Sequence, residues 1–211
     1  SCILNIETST SVCSVALSMD GEVLFAKASF DGPSHAALLG VFVEEALSVL
    51  KKKGKKALDA VAVSSGPGSY TGLRIGVSVA KGLCFGFGIP LIGIHTLDIM
   101  AATVNSKGDS QIVSMTDNCL YCAMLDARRM EVYAAIYDAS LKPVRETKAD
   151  IVEVGTYASY LEKGKVCFFG NGASKCKSVI TSPNAIFIED IHPLAVNMIP
   201  LSEQAFAAGK F

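Results

Sequence analysis

An excess of charge of either sign is what this sequence most lacks: 19 Lys and Arg stand against 20 Asp and Glu, leaving a net charge of −1 and a pI near 6.3. That balance removes the broad basic footprint of a nucleic-acid-binding domain, so any contact with RNA is expected to be local or carried by a partner. Long apolar runs are missing as well, because Gly, Lys or Pro interrupts each before the roughly 18–20 residues that a membrane span requires. The chain opens on strand-like Ile3-Leu4-Asn5-Ile6 rather than on a signal peptide. Only three histidines occur, His35, His95 and His192, and none sits in an H-E-x-x-H arrangement, which argues against a histidine metal site. The seven cysteines are odd in number, in a chain too large to need disulfide staples, and read as reduced cytoplasmic thiols. No low-complexity segment or short-period repeat is visible. A soluble, cytoplasmic protein is the expectation.

What is present is core-forming. Half of the 211 residues are hydrophobic and the mean hydropathy is +0.40, enough to bury a substantial core as one domain or as two small lobes and to exclude disorder. Cys2 to Ile6, Val12 to Ser18 and Glu22 to Ser29 read as three antiparallel strands, the last two joined by an Asp20-Gly21 hairpin turn. Ser34 is placed to cap a helix running to about Lys52. A strand around Val61, a helix from Leu73 to Phe87, a strand Leu91 to Ile94 and a helix from about Thr96 follow. This order gives a mixed sheet with helical crossovers, an α/β lobe spanning residues 1–109. A second, smaller α/β lobe is expected over 110–211, beginning near Ser110. Its strands are Leu120 to Asp126, Glu131 to Tyr137, Val166 to Phe169 and Ala185 to Ile188. Its helices are Thr156 to Glu162 and 194–208, the last packing back on the first lobe.

The segment Ser64 to Gly76, S-S-G-P-G-S-Y-T-G-L-R-I-G, places a glycine-rich turn between strand and helix. It fits no standard phosphate or nucleophile pattern. A P-loop needs Lys after its last glycine, where Leu73 and Arg74 stand. A dinucleotide fingerprint needs two residues between its second and third glycines, and Gly68 and Gly72 are separated by three. A nucleophile elbow needs glycines flanking the serine at two residues, where Ser69 has Pro67 and Thr71.

Several other groups admit two readings. The helices Ser34 to Leu50 and Tyr70 to Phe87 are too apolar for one buried stripe, so they are either sandwiched within the domain or form a helix-mediated interface through Leu38, Leu39, Phe42, Gly76, Val79 and Leu83. Gly72, Gly76 and Ala80 recur every four residues, a small ridge that suits close helix approach. Arg74 lies in the first turn of its helix, where a cation opposes the dipole, so an acidic group of this chain, an anion or a partner residue should compensate it. Cys119-x-x-Cys122 is half a zinc knuckle, a redox pair or ordinary packing. The Lys51 to Lys56 run is a solvated helix end or a phosphate contact. Asp126 beside Arg128 and Arg129 is a charged hairpin tip or a ligand anchor.

Ile3 to Thr10, Ser65 to Gly76, Pro90 to Ile94, Asp126-Ala127-Arg128 with Glu131-Val132-Tyr133, and Gly170-Asn171-Gly172-Ala173 together resemble the bacterial TsaB (YeaZ) family across essentially the whole chain. The resemblance implies a two-lobed actin-like or sugar-kinase-like (ASKHA) fold. It also implies a place in making threonylcarbamoyladenosine in tRNA, beside the longer paralogue TsaD, which holds the metal and transfers the threonylcarbamoyl group, TsaE, which supplies ATPase activity, and a separate synthase, which makes threonylcarbamoyl-AMP. Laid on this chain, the two metal-binding histidines of TsaD fall on Thr96 and Met100, and the adjacent glycines of its second-lobe hairpin fall on Ala127-Arg128-Arg129. Neither Thr nor Met supplies an imidazole ligand. Glu7, Thr8, Ser9 and Thr10, with Gly66 and Gly68, resemble a phosphate-facing loop, which reads either as a vestigial ATP- or ADP-binding turn or as a capped structural turn. The implied role is a non-catalytic scaffold that binds TsaD, meets TsaE through the complex, touches tRNA indirectly and forms a homodimer when alone, with no metal or catalytic residue of its own. The competing readings are a small kinase of the same superfamily and a peptidase. The chain also stops at Gly209-Lys210-Phe211, where relatives continue into a Pro-aromatic-Leu-Arg segment.

Overall fold

The computed structural model describes residues 1–32, 35–54, 57–106 and 119–211. Ser34, Lys55, Lys56 and the expected start of the second lobe at Ser110 lie outside them. The chain divides into two compact units, one made of Ser1–Ile99 with Pro193–Phe211, the other of Met100–His192. The division therefore falls at Ile99 rather than at 109, and the final helix belongs to the first unit.

In the first unit β1 (Cys2–Glu7), β2 (Cys13–Met19) and β3 (Glu22–Ser29) form an antiparallel meander, and β4 (Ala60–Ser64) and β5 (Leu91–Ile94) extend it in parallel, in the order β3-β2-β1-β4-β5. Asp20 and Gly21 both have positive φ, as the Asp-Gly turn requires. The strands β1 and β4 are buried throughout. Their alternation explains why: Leu4, Ile6, Val61 and Val63 meet α1 (His35–Lys52) and α2 (Tyr70–Phe87) on one face. Ile3, Ala60 and Ala62 meet Ala195, Met198 and Ile199 on the other. A sheet covered on both faces carries apolar residues at every position. The expected 194–208 helix is two pieces, a 3-10 turn Ala195–Met198 and α6 (Ile199–Ala207). Glu203 of α6 ties this segment to the first hairpin, accepting from Ser18 Oγ (3.4 Å) and Gly21 N (3.1 Å).

The second unit repeats the first. After α3 (Thr96–Ser106), β6 (Leu120–Asp126), β7 (Glu131–Tyr137) and β8 (Pro143–Ile151) form a meander, and β9 (Val166–Phe169) and β10 (Ala185–Ile188) add in parallel, in the order β8-β7-β6-β9-β10. Five strands in the same order and sense make each unit a copy of one topology, a duplication invisible in the residues themselves. Strand β8 is unread in the sequence because it is a polar, largely exposed edge strand with no apolar alternation. It is held by backbone pairing to β7 and by Tyr157, whose hydroxyl donates to Asp150 (2.8 Å), while Arg145 and Asp150 pair within the strand. The expected Thr156 to Glu162 helix is a single turn, α4 (Ala158–Leu161), and another turn, α5 (Ala173–Cys176), follows β9. Among the described residues no helix is long and apolar enough to cross a membrane.

Candidate functional site: the glycine loop and the outer face of its helix

The glycine loop is filled by its own chain. Ser69 Oγ caps α2 by accepting from Gly72 N (3.2 Å), so the helix starts at Tyr70, three residues before apolar periodicity places it. The turn after β1 then seats on the loop. Ser69 N donates to Ser9 O (2.6 Å) and Thr8 Oγ1 to Gly72 O (2.8 Å). An ideal Cβ on Gly68, Gly72 or Gly76 would fall under 3.0 Å from Ser9 or Thr8. These positions demand glycine because another strand's turn approaches them. His35, at the start of α1, completes the lock, its Nε2–H donating to Thr10 O at 2.7 Å. Gly66 O accepts from Thr96 N (2.9 Å), fixing the loop to the start of α3.

Glu7, Thr8, Ser9 and Thr10 are consequently buried. Glu7 Oε1 accepts from Ser9 N while Oε2 finds no partner among the described residues. Burial pushes its carboxyl up to about 7, against the opposing hydrogen bonds of Ser9 and Ser64. An anion at this turn would have to displace the bonds that hold it to the loop.

The interface residues expected from the sequence separate into two groups. Leu39 (1% exposed) and Phe42 (4%) are core residues of the first unit, packed among β-strand side chains, and Gly76 faces Thr8, so these three are not surface contacts. Gly72, Gly76, Ala80 and Cys84 form the buried side of α2, the first two serving the close approach of the β1–β2 turn and the last two joining the core of the first unit. Leu38, Val79 and Leu83 are partly buried against the same core. Arg74 is exposed, donating to Tyr70 Oη at 3.2 Å and lying 5.3 Å over its ring. Among the described residues no carboxylate pairs with it.

The surface that remains was not singled out by the sequence. On α2, Phe85 is 93% exposed and Tyr70 74%, and on α1 Val41 is 47% exposed. Gly40 of α1 and Gly82 and Gly86 of α2 likewise have nothing within 4 Å of an added Cβ. Each such helical glycine costs about 1 kcal/mol relative to Ala without any internal packing reason. The signal available beforehand was a glycine and an aromatic at helix positions out of phase with the apolar ridge.

In the second unit Arg128 and Arg129 occupy the β6–β7 tip with φ of 72° and 46°, the left-handed pair of a hairpin turn that glycine suits best. Asp126 accepts from Arg128 N (3.1 Å) and pairs with Lys175, and Asn171 Oδ1 accepts from Asp126 N (2.9 Å). The tip is thus braced by the Gly170-Asn171-Gly172 loop. Thr96 and Met100 are both fully buried.

Two units of one topology, each a five-stranded mixed sheet with helices, and a glycine loop leading into an outward-facing helix define a duplicated α/β protein. The family model described as TsaD, tRNA N6-adenosine threonylcarbamoyltransferase, matches residues 31–179. The Escherichia coli K12 tRNA threonylcarbamoyladenosine biosynthesis protein TsaB is 31% identical over 99% of this chain and 88% of its own length. Two solved Pseudomonas aeruginosa structures are each 26% identical over the whole chain. One, an uncharacterized protein with similarity to the peptidase YeaZ, has a TM-score of 0.80 over 94% of its length. The other, YeaZ, has a TM-score of 0.76 over 95%. The chain belongs to this TsaD-related family, and within it to the TsaB (YeaZ) group.

Proposed function

We propose that the chain acts in the biosynthesis of threonylcarbamoyladenosine in tRNA as a non-catalytic scaffold that binds and stabilises TsaD. The observation that carries this reading is the outer face of α1 and α2, where Phe85 stands in solvent beside helical glycines with no internal reason to be glycine. Small residues around an exposed aromatic anchor let a second pair of helices approach closely. Arg74, without a carboxylate of its own among the described residues, supplies a polar contact for an acidic group of the partner. The same face self-associates when TsaD is absent, and TsaE joins through the complex.

In this reading the chain carries out no group transfer. By the resemblance to TsaD, its metal-binding histidines fall on Thr96 and Met100, and Thr8 and the Ser9 carbonyl are bonded to the glycine loop. Calorimetry with ATP and Mg²⁺ on the isolated chain is expected to give no heat. The interface is tested by titrating TsaD with Phe85→Asp and Gly82→Leu variants, with Val154→Asp in the other unit as control. The α2 variants are expected to weaken binding at least tenfold and the control to bind normally. Unchanged affinity in both α2 variants refutes the interface.

A further inference from the structure

Cys119 immediately precedes β6, and Cys167 is the second residue of β9. These strands run parallel with Tyr121 opposite Cys167, and Leu120 N donates to Lys165 O at 3.0 Å. The two Sγ atoms lie 2.8 Å apart, one thiol donating to the other, and both residues are buried. A disulfide bond is about 2.05 Å long, so less than about 1 Å of sulfur approach separates this contact from a covalent one. The neighbouring Cys122 is not part of the pair. Three positions along, it faces the opposite side of the sheet, in the core with Met124 and Phe168. Cys176 is engaged elsewhere, donating to Gly172 O (3.3 Å).

We propose that Cys119 and Cys167 form a reversible disulfide that fastens β6 to β9, with a low-molecular-weight disulfide as the oxidant. The Cys119 thiolate attacks one sulfur of the oxidant, forming a mixed disulfide and expelling one small thiolate. The Cys167 thiolate then attacks Cys119 Sγ, closing the protein disulfide and expelling the second. Two protein thiols lose two protons and two electrons, and one small disulfide becomes two thiols. The order follows from the hydrogen bond, which lowers the pKa of Cys119 and raises that of Cys167, making Cys119 the readier nucleophile. The sequence motif Cys119-x-x-Cys122 thus contributes one redox cysteine, whose partner is distant in the chain.

The test is incubation of the full folded chain with oxidised glutathione, followed by thiol counting in denaturant and peptide mapping. The expected result is loss of two of the seven thiols, a cross-linked peptide pair carrying Cys119 and Cys167, and full reversal by dithiothreitol. Cys119→Ser and Cys167→Ser should each lose neither further thiol to an internal bond. Seven free thiols after incubation, or a cross-link joining any other pair, overturns the proposal. The mapping uses the unsubstituted chain, so it decides the matter even if a variant fails to fold.

Discussion

Within α2 the same substitution should have opposite effects six residues apart. Gly82 has open space where a Cβ would go, so Gly82→Ala replaces a poor helix former with the best one and should gain about 1 kcal/mol. At Gly76 the new Cβ would lie under 3.0 Å from Thr8 Oγ1, whose hydroxyl donates to Gly72 O at 2.8 Å. The same propensity gain is then outweighed by overpacking of about 1–3 kcal/mol and by a lost hydrogen bond of about 1 kcal/mol. The net is a loss of about 1–3 kcal/mol for Gly76→Ala. Urea unfolding followed by circular dichroism reads both: with a slope of about 2 kcal/mol/M, the midpoint should rise by about 0.5 M for Gly82→Ala and fall by about 0.5–1.5 M for Gly76→Ala. Midpoints that move the same way in both variants would refute the division of α2 into a locked inner ridge and a vacant outer face.

Glu7, raised by burial to about 7 from 4.5, holds its proton more tightly folded than unfolded. Its contribution is therefore fully present below pH 4.5 and lost as pH rises through 7, about 3 kcal/mol in all. Glu7→Gln should flatten that decline in denaturation curves at pH 5 and pH 7.5, and an equal decline in both proteins would exclude Glu7 as its source. Arg128 and Arg129 bear left-handed φ values, so Arg129→Gly should raise the stability of the second unit by roughly 0.5–1 kcal/mol, and a lower thermal midpoint would contradict this. Ser69→Ala removes the cap of α2 and should lower stability by about 1 kcal/mol, read in the same urea experiment.

The first unit was legible because its strands carry the pattern of a sheet covered on both faces and its turns carry Asp-Gly and Gly-Pro-Gly. The second was legible only in part. Strand β8 hides because most of its side chains face water and it is held by backbone pairing to β7 and by the single Tyr157–Asp150 bond, neither of which leaves an apolar period. The duplication hides for a related reason: topology repeats while residues do not. At the candidate site, apolar content pointed to α1 and α2 but could not assign faces, so Leu39, Phe42 and Gly76 read as contacts although they fill the core. The open glycines Gly40, Gly82 and Gly86 became informative only when their surroundings were known. The Gly66 to Gly72 loop marked the fold correctly, yet what it cradles is the chain's own Thr8 and Ser9.

The central claim, a scaffold without catalysis of its own, is tested most directly by reconstituting tRNA modification from TsaD, TsaE and the threonylcarbamoyl-AMP synthase with and without this protein. Modification should depend on the added chain, fail with the Phe85→Asp variant, and be absent when the chain is given substrates alone. Equal modification without the chain, or turnover by the chain alone, would contradict the account.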